Sequence, residues 1–126
     1  DESYNANPDT MNQCFGYFNE ININNRKKIL ILGNMNELGK RAEKLHLNLL
    51  KNLDKFKFKF IILSGEFHRT SIKKIIKPNN NFIYFEDKEQ IMKFLTSNVH
   101  NDDIILIKCS NSTEINKFAN QLLKKG

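Results

Sequence analysis

The sequence predicts an α/β fold, a three-layer open sandwich with a mostly parallel, Rossmann-like sheet and helices on both faces. Three observations lead there. Four short runs rich in Ile, Leu and Phe, at residues 28–32, 58–63, 82–85 and 104–107, are almost continuously apolar, as strands covered on both faces are. Stretches with one apolar stripe lie between them, and alternation of the two element types favours right-handed crossovers between parallel strands. At 126 residues the chain has room for one ordinary domain and one core.

The elements follow in order. Asn7 is a fitting N-cap, Pro8 suits the first helical position, and Asp9 complements the dipole of a helix whose stripe is Met11, Cys14, Phe15 and Phe18. The run at 28–32 follows. A second helix is predicted over 36–53, because Leu38, Ala42, Leu45, Leu49 and Leu53 recur at helical spacing. After the strand at 58–63, a short helix is predicted over 71–76, ended by Pro78, and residues 78–81 read as an exposed turn. The strand at 82–85 leads to a helix after Asp87 carrying Ile91, Phe94 and Leu95. The strand at 104–107 leads to a last helix with Ile115, Phe118, Ala119, Leu122 and Leu123. A helix so soon after Asp1 predicts a further strand upstream, so the sheet is expected to lack an edge or a centre. No repeats or long linkers interrupt the chain.

Composition removes several function classes. No apolar run approaches the roughly 20 residues of a membrane helix, so no membrane partner is expected. The first residue is Asp1 rather than Met and no basic-then-apolar leader follows, which predicts a piece excised from a longer cytoplasmic protein. Cys14 and Cys109 lie far apart without metal-ligand spacing, so no metal site or disulfide framework is expected and both thiols should be reduced and packed. The net charge of +6 comes mostly from lysines scattered over every segment, which reads as solvated surface, with no nucleic-acid partner.

Ligands of open α/β sheets collect where strands end, which singles out residues 1–8, 33–39 and 108–112. The first offers carboxylates, Tyr4 and amides beside a helix N-terminus, whose free N–H groups attract anions. The second is a tight turn into a helix, and the third sets Lys108 among hydroxyls. No G-x-x-x-x-G-K-[ST] occurs, and Gly33 and Gly39 do not complete G-x-G-x-x-G, so the chain cannot cradle a triphosphate unaided.

Five segments resemble a known family. DESYNANPDTM is similar to a D-x-Y-N-A-N-P-x-S-M opening, and LGNMNELGKRAEKLH to an L-G-D-M-x-E-L-G segment with a histidine at the spacing of His46. LSGE, YFEDKEQIMKFL and DDIILIKCSNS resemble, in turn, a V-G-E strand end, the helix after it, and a G-D-x-V-L-x-K-G-S-[RN] strand. The first two are specific and the others corroborate them. Together they resemble the C-terminal domain of the Mur ligases, closest to those that add D-alanyl-D-alanine, over residues 1–126.

The resemblance implies a three-domain cytoplasmic, monomeric enzyme that couples ATP and Mg2+, held mainly by a central domain, to amide formation between UDP-N-acetylmuramoyl-tripeptide and D-alanyl-D-alanine. The last domain swings in to close the cleft and is inactive when isolated. Carried over by position, Tyr4, Asn5 and Asn7, with Asp1 and Glu2 behind them, would contact the nucleotide. Asn34, Glu37, Lys108 and Ser110 would face the dipeptide or the phosphates. No catalytic residue is assigned. Asn34 stands where the family usually has Asp, Glu2 is another departure, and Cys109 replaces the Gly after the lysine.

Plainer readings stand beside these. Tyr4 and Asn5 also suit the polar lead-in to a capped helix, Glu37 a residue that complements a helix dipole, and Lys108 an exposed strand-end lysine. A lone histidine such as His46, next to a leucine stripe, reads as structural. Two other functions fit the composition: a non-catalytic nucleotide- or anion-binding module of this fold, and a basic nucleic-acid binder.

Overall fold

A computed structural model describes residues 7–21 and 26–108. Helix α1 (Pro8–Glu20) starts as the sequence predicts, with Asn7 in extended backbone as N-cap and its Oδ1 accepting from the Thr10 N–H at 2.9 Å. It leads to β1 (Lys28–Leu32). A 3-10 turn (Gly39–Arg41) then opens α2 (Ala42–Leu53), followed by β2 (Phe60–Leu63), α3 (Glu66–Ile72), β3 (Phe82–Tyr84), α4 (Lys88–Asn98) and β4 (Ile104–Lys108). The last expected helix lies outside the described residues.

The four strands are hydrogen-bonded in the order β3-β2-β1-β4 and every pair is parallel. The ladder has no gap, so the described sheet is not missing a centre strand. Successive strand side chains point to opposite faces, and each face meets its own helices. Leu30, Leu32, Ile61 and Leu63 pack with Met11, Phe15 and Phe18 of α1, Leu49, Leu50 and Leu53 of α2, and Ile72 of α3. Ile29, Ile31 and Ile62 face Ile91, Leu95 and Phe94 of α4. Three helices on one face and one on the other make the three-layer α/β sandwich that the apolar runs predicted.

Four features differ from the sequence expectation by more than one residue or in burial, each for a physical reason. Helix α2 starts at Ala42 rather than at 36, because Glu37 (φ 60°) and Gly39 (φ 62°) hold left-handed backbone that no α-helix contains. Leu38 reaches the core from a loop, and in the helix the fully buried position is His46 rather than Leu45. Helix α3 occupies 66–72 rather than 71–76, since its buried side chains are His68 and Ser71, which carry no apolar periodicity. Strand β2 begins two residues late, because the Phe58 N–H donates to the Asn80 side chain at 2.8 Å instead of to a strand.

The fourth concerns the turn at 78–81, which is not wholly exposed. Asn80 is 7% exposed and also donates to the Phe56 carbonyl, while its backbone N–H and that of Asn79 donate to the Asp54 carboxylate. Helix α4, by contrast, follows its sequence signal. Asp87 accepts from the Gln90 N–H at 3.0 Å while Gln90 Oε1 accepts from the Asp87 N–H, a capping box.

Candidate functional site at the carboxyl ends of the strands

The chain leaves β1 toward β2 on one side, whereas β4 returns to the other side of β1, so the strand order reverses between β1 and β4. In open α/β sheets the crevice outside the carboxyl ends at such a point is where ligands bind. Here it is framed by residues 33–41 after β1 and by Lys108 at the end of β4. Lys108 lies opposite Leu32, and the Gly33 N–H extends the ladder by donating to the Lys108 carbonyl at 2.9 Å. By strand alternation the Lys108 side chain follows the face of Ile104 and Leu106, on the side of α1, α2 and α3. It is half-buried, and its ammonium group has no partner among the described residues.

Asn7 belongs to the same end. Lys28, the first residue of β1, donates to the Asn19 carbonyl at 2.7 Å, so the last turn of α1 sits beside the start of that strand. From there α1 runs back about 20 Å along the sheet, which carries Asn7 and the positive end of the helix dipole toward the carboxyl ends of the strands. The structure thus gathers Asn7, Asn34, Glu37 and Lys108 at one end. Asp1, Glu2, Tyr4, Asn5 and Ser110 lie outside the described residues, as does Cys109. Cys14 is a half-buried free thiol.

Asn34 is fixed rather than loose. Its Oδ1 accepts from the Phe67 N–H at 3.3 Å, in the first turn of α3. Gly65, at φ 98°, is required beside it, since a Cβ there would lie 2.3 Å from Asn34 Oδ1. Glu37 is exposed and sits before α2, so it is not in the first turn of a helix and the dipole reading fails for it. Its left-handed backbone, in a residue with a side chain, is the kind of strain that clusters at functional sites.

Beneath this loop lie two fully buried histidines. The Met35 N–H donates to His46 Nε2 at 2.9 Å, and His46 Nδ1 donates to the Ala42 carbonyl at 2.6 Å, which bears out its structural reading. His68 Nε2 donates to the Gly33 carbonyl at 2.9 Å. Burial disfavours the charged ring in both: it lowers the His46 pKa and takes that of His68 down to about 4, against the opposing pull of the Gly33 carbonyl. Sequence reasoning missed His68 and Gly65. The one available signal was LSGEFH, a glycine and a histidine directly after an apolar run.

The opposite end of the sheet holds an open cleft of about 510 Å³ lined by Arg26, Lys27, Lys28, Lys57, Phe58 and Lys59. Much of its charge is engaged. Lys28 is bound to Asn19, Lys59 to Asp103 and the Asn98 carbonyl, and Arg26 to the Asp102 carbonyl. Among the described residues no group of three or more His, Cys, Asp or Glu side chains could hold a metal ion, and no helix is long and apolar enough to cross a membrane.

Known proteins share this architecture. MurF from Acinetobacter baumannii superposes with a TM-score of 0.76 at 21% identity, over 96% of this chain and 27% of that one. The MurF ligase of Thermotoga maritima, in complex with ADP, gives 0.67 at 24% identity, over 99% and 27%. The UDP-N-acetylmuramoyl-tripeptide–D-alanyl-D-alanine ligase of Borreliella burgdorferi is 26% identical over 94% of this chain and 25% of its own length. The chain therefore spans about a quarter of these relatives. The model of the family described as "Mur ligase, glutamate ligase domain" matches residues 2–111, and the chain belongs to that family.

Proposed function

We propose that this chain serves as the C-terminal domain of an ATP-dependent, amide-forming ligase that joins D-alanyl-D-alanine to UDP-N-acetylmuramoyl-tripeptide in peptidoglycan synthesis. The observation that carries the reading is the convergence of Asn7, the loop at 33–41 and the half-buried Lys108 at the reversal of strand order, in a member of this family. The ADP complex of the Thermotoga relative supports a nucleotide as one ligand. The setting is cytoplasmic and the working unit a monomer.

The chemistry suits a closing domain. A substrate carboxylate becomes an acyl phosphate and the dipeptide amine then attacks it, so positioning and charge neutralisation dominate. Lys108 supplies a cation beside the transferred phosphoryl group or the dipeptide carboxylate. Asn34 offers its amide to the dipeptide, and the Glu37 carboxylate faces the dipeptide's amino end. Asn7 and the first turn of α1 face the nucleotide, together with Tyr4, Asn5, Asp1 and Glu2, while Ser110 adds a hydroxyl beside Lys108. The chain supplies one wall of a nucleotide site without a glycine-rich phosphate loop, and in this reading the triphosphate and Mg2+ are held mainly by a central domain of the full polypeptide.

Steady-state turnover of the full polypeptide tests this. ADP release should depend on both the UDP-linked tripeptide and D-alanyl-D-alanine, and Lys108→Met should lower kcat/KM by about 100-fold. Turnover indifferent to the dipeptide, or to Lys108, would sink the reading. A second reading, a nucleotide- or anion-binding module without catalysis, draws on the lack of any glycine-rich phosphate loop in the chain. ATP binding to the chain without ligation by the full polypeptide would favour it.

A further inference from the structure

We propose that His46 and His68 act as a positioning pair for this cleft, holding the backbone of residues 33–35 from both sides so that Asn34, Glu37 and Lys108 share one fixed frame. The inference rests on the proposed ligase site and adds two residues to it that touch no substrate.

The geometry is specific. His46 comes from α2 and His68 from α3, and their rings meet edge to face with centroids 4.9 Å apart. Phe67 also stacks on His46 at 4.8 Å, and its N–H is the one that Asn34 accepts. The two imidazoles hold the groups that flank Asn34: His68 donates to the carbonyl before it, and His46 accepts from the N–H after it. Gly33 carries the constraint onward, because its N–H is bound to the carbonyl of Lys108. One hydrogen-bonded path therefore runs from α3 through Gly33 to the strand-end lysine.

The partners also dictate opposite tautomers. His46 must carry its proton on Nδ1, since Nε2 accepts, and His68 must carry its proton on Nε2, since that atom donates. Two apolar residues would pack here without the cost of desolvating imidazoles. The fold instead keeps the rings, and even leaves His68 Nδ1 and Ser71 Oγ buried with no hydrogen-bond partner among the described residues. Such a cost is retained where the loop above must be held in a strained path, and Glu37 lies on that path at φ 60°.

Nitrogen-15 NMR of the imidazoles in the unaltered chain gives the first test. The expected forms at neutral pH are Nδ1–H for His46 and Nε2–H for His68; the reverse tautomer in either ring overturns the proposal without any variant having to fold. The second test compares H46L and H68L with H46Q and H68Q, whose amide groups can replace the lost Nε2 contact. The leucine variants should move the Asn34 side-chain amide and Lys108 backbone signals and raise Met35 amide exchange at least about tenfold, with the glutamine variants close to the original.

In the full polypeptide the leucine variants should lower kcat by about ten- to 100-fold with KM for ATP little changed. Unmoved Asn34 and Lys108 signals in folded leucine variants, or unaltered turnover beside moved signals, would reduce the histidines to packing and overturn the pair. Absence of dipeptide-dependent turnover in the unaltered polypeptide defeats the ligase reading instead, and the NMR results then decide the pair alone.

Discussion

At the amino ends of the strands Asp103 is 2% exposed, yet it meets Lys59 Nζ at 2.8 Å and the His100 N–H at 2.9 Å; at the carboxyl ends His68 is fully buried with one ring nitrogen unpartnered among the described residues. Asn80 at the amino end is bound on both amide atoms. Lys108 and Glu37 at the other end present charges with no partner among the described residues. Backbone conformations divide similarly. Gly65, Glu37 and Gly39 lie at the carboxyl end with positive φ, whereas Lys77 (φ 51°) is the one such residue on the amino side among the described residues. One end satisfies its buried polar groups, and the other leaves a buried ring nitrogen and a left-handed Glu37 backbone beside a site where something can bind.

Acid should separate the ends most strongly. The folded-state pKa of His68 is lowered to about 4 from an ordinary 6.5, so the unfolded chain binds the extra proton between those values and stability rises with pH. Stability is fully present above about pH 6.5 and should fall by roughly 3 kcal/mol as pH drops to 4. Urea unfolding at stepped pH checks this, and H68Q should flatten the dependence. Lys59→Met attacks the satisfied end. It leaves a buried carboxylate with a single backbone donor and should cost roughly 2–3 kcal/mol, with no effect on the Asn34 side-chain amide signal. Gly65→Ala should cost least, about 2 kcal/mol, because it forces a side chain into glycine backbone. Unlike the lysine variant, it should shift the Asn34 signal and impair any ligand binding at the strand ends. Equal effects of both variants on Asn34 would erase the contrast.

The same contrast explains what could be read from the residues. Strands are legible because a strand packed on both faces reads as an apolar run, as 29–32 and 104–107 do. Asn7 and Asp87 announced their helices through local capping chemistry. The sequence places α3 too late because its inward side chains, His68 and Ser71, look like surface residues, and the hydrogen bond that holds His68 inside goes to a backbone carbonyl more than 30 residues away. The turn at 78–81 reads as exposed in the sequence because nothing nearby reveals that Asp54 will receive it. The strand-end rule, which needs only the order of elements, singles out residues 33–39 and the lysine at 108, whereas the choice of Asn34 and Glu37 within the first segment comes from the family resemblance. Gly65 and His68 act through backbone geometry, which leaves little trace in residue type.

The connection from β3 through α4 to β4 passes from one edge of the described sheet to the other, crossing behind β2 and β1. The stretch from β1 to α3, which supplies Asn34 and both histidines, is assembled from neighbours in sequence. The strand that brings Lys108 must wait for a partner some 76 residues earlier, as Lys108 pairs with Leu32. Closing a contact of that separation costs more chain entropy than pairing β1 with β2, and so slows folding. Detachment of this one edge strand would withdraw the lysine while leaving the rest of the wall intact, so assembly of the cleft doubles as a check that the whole sheet has closed.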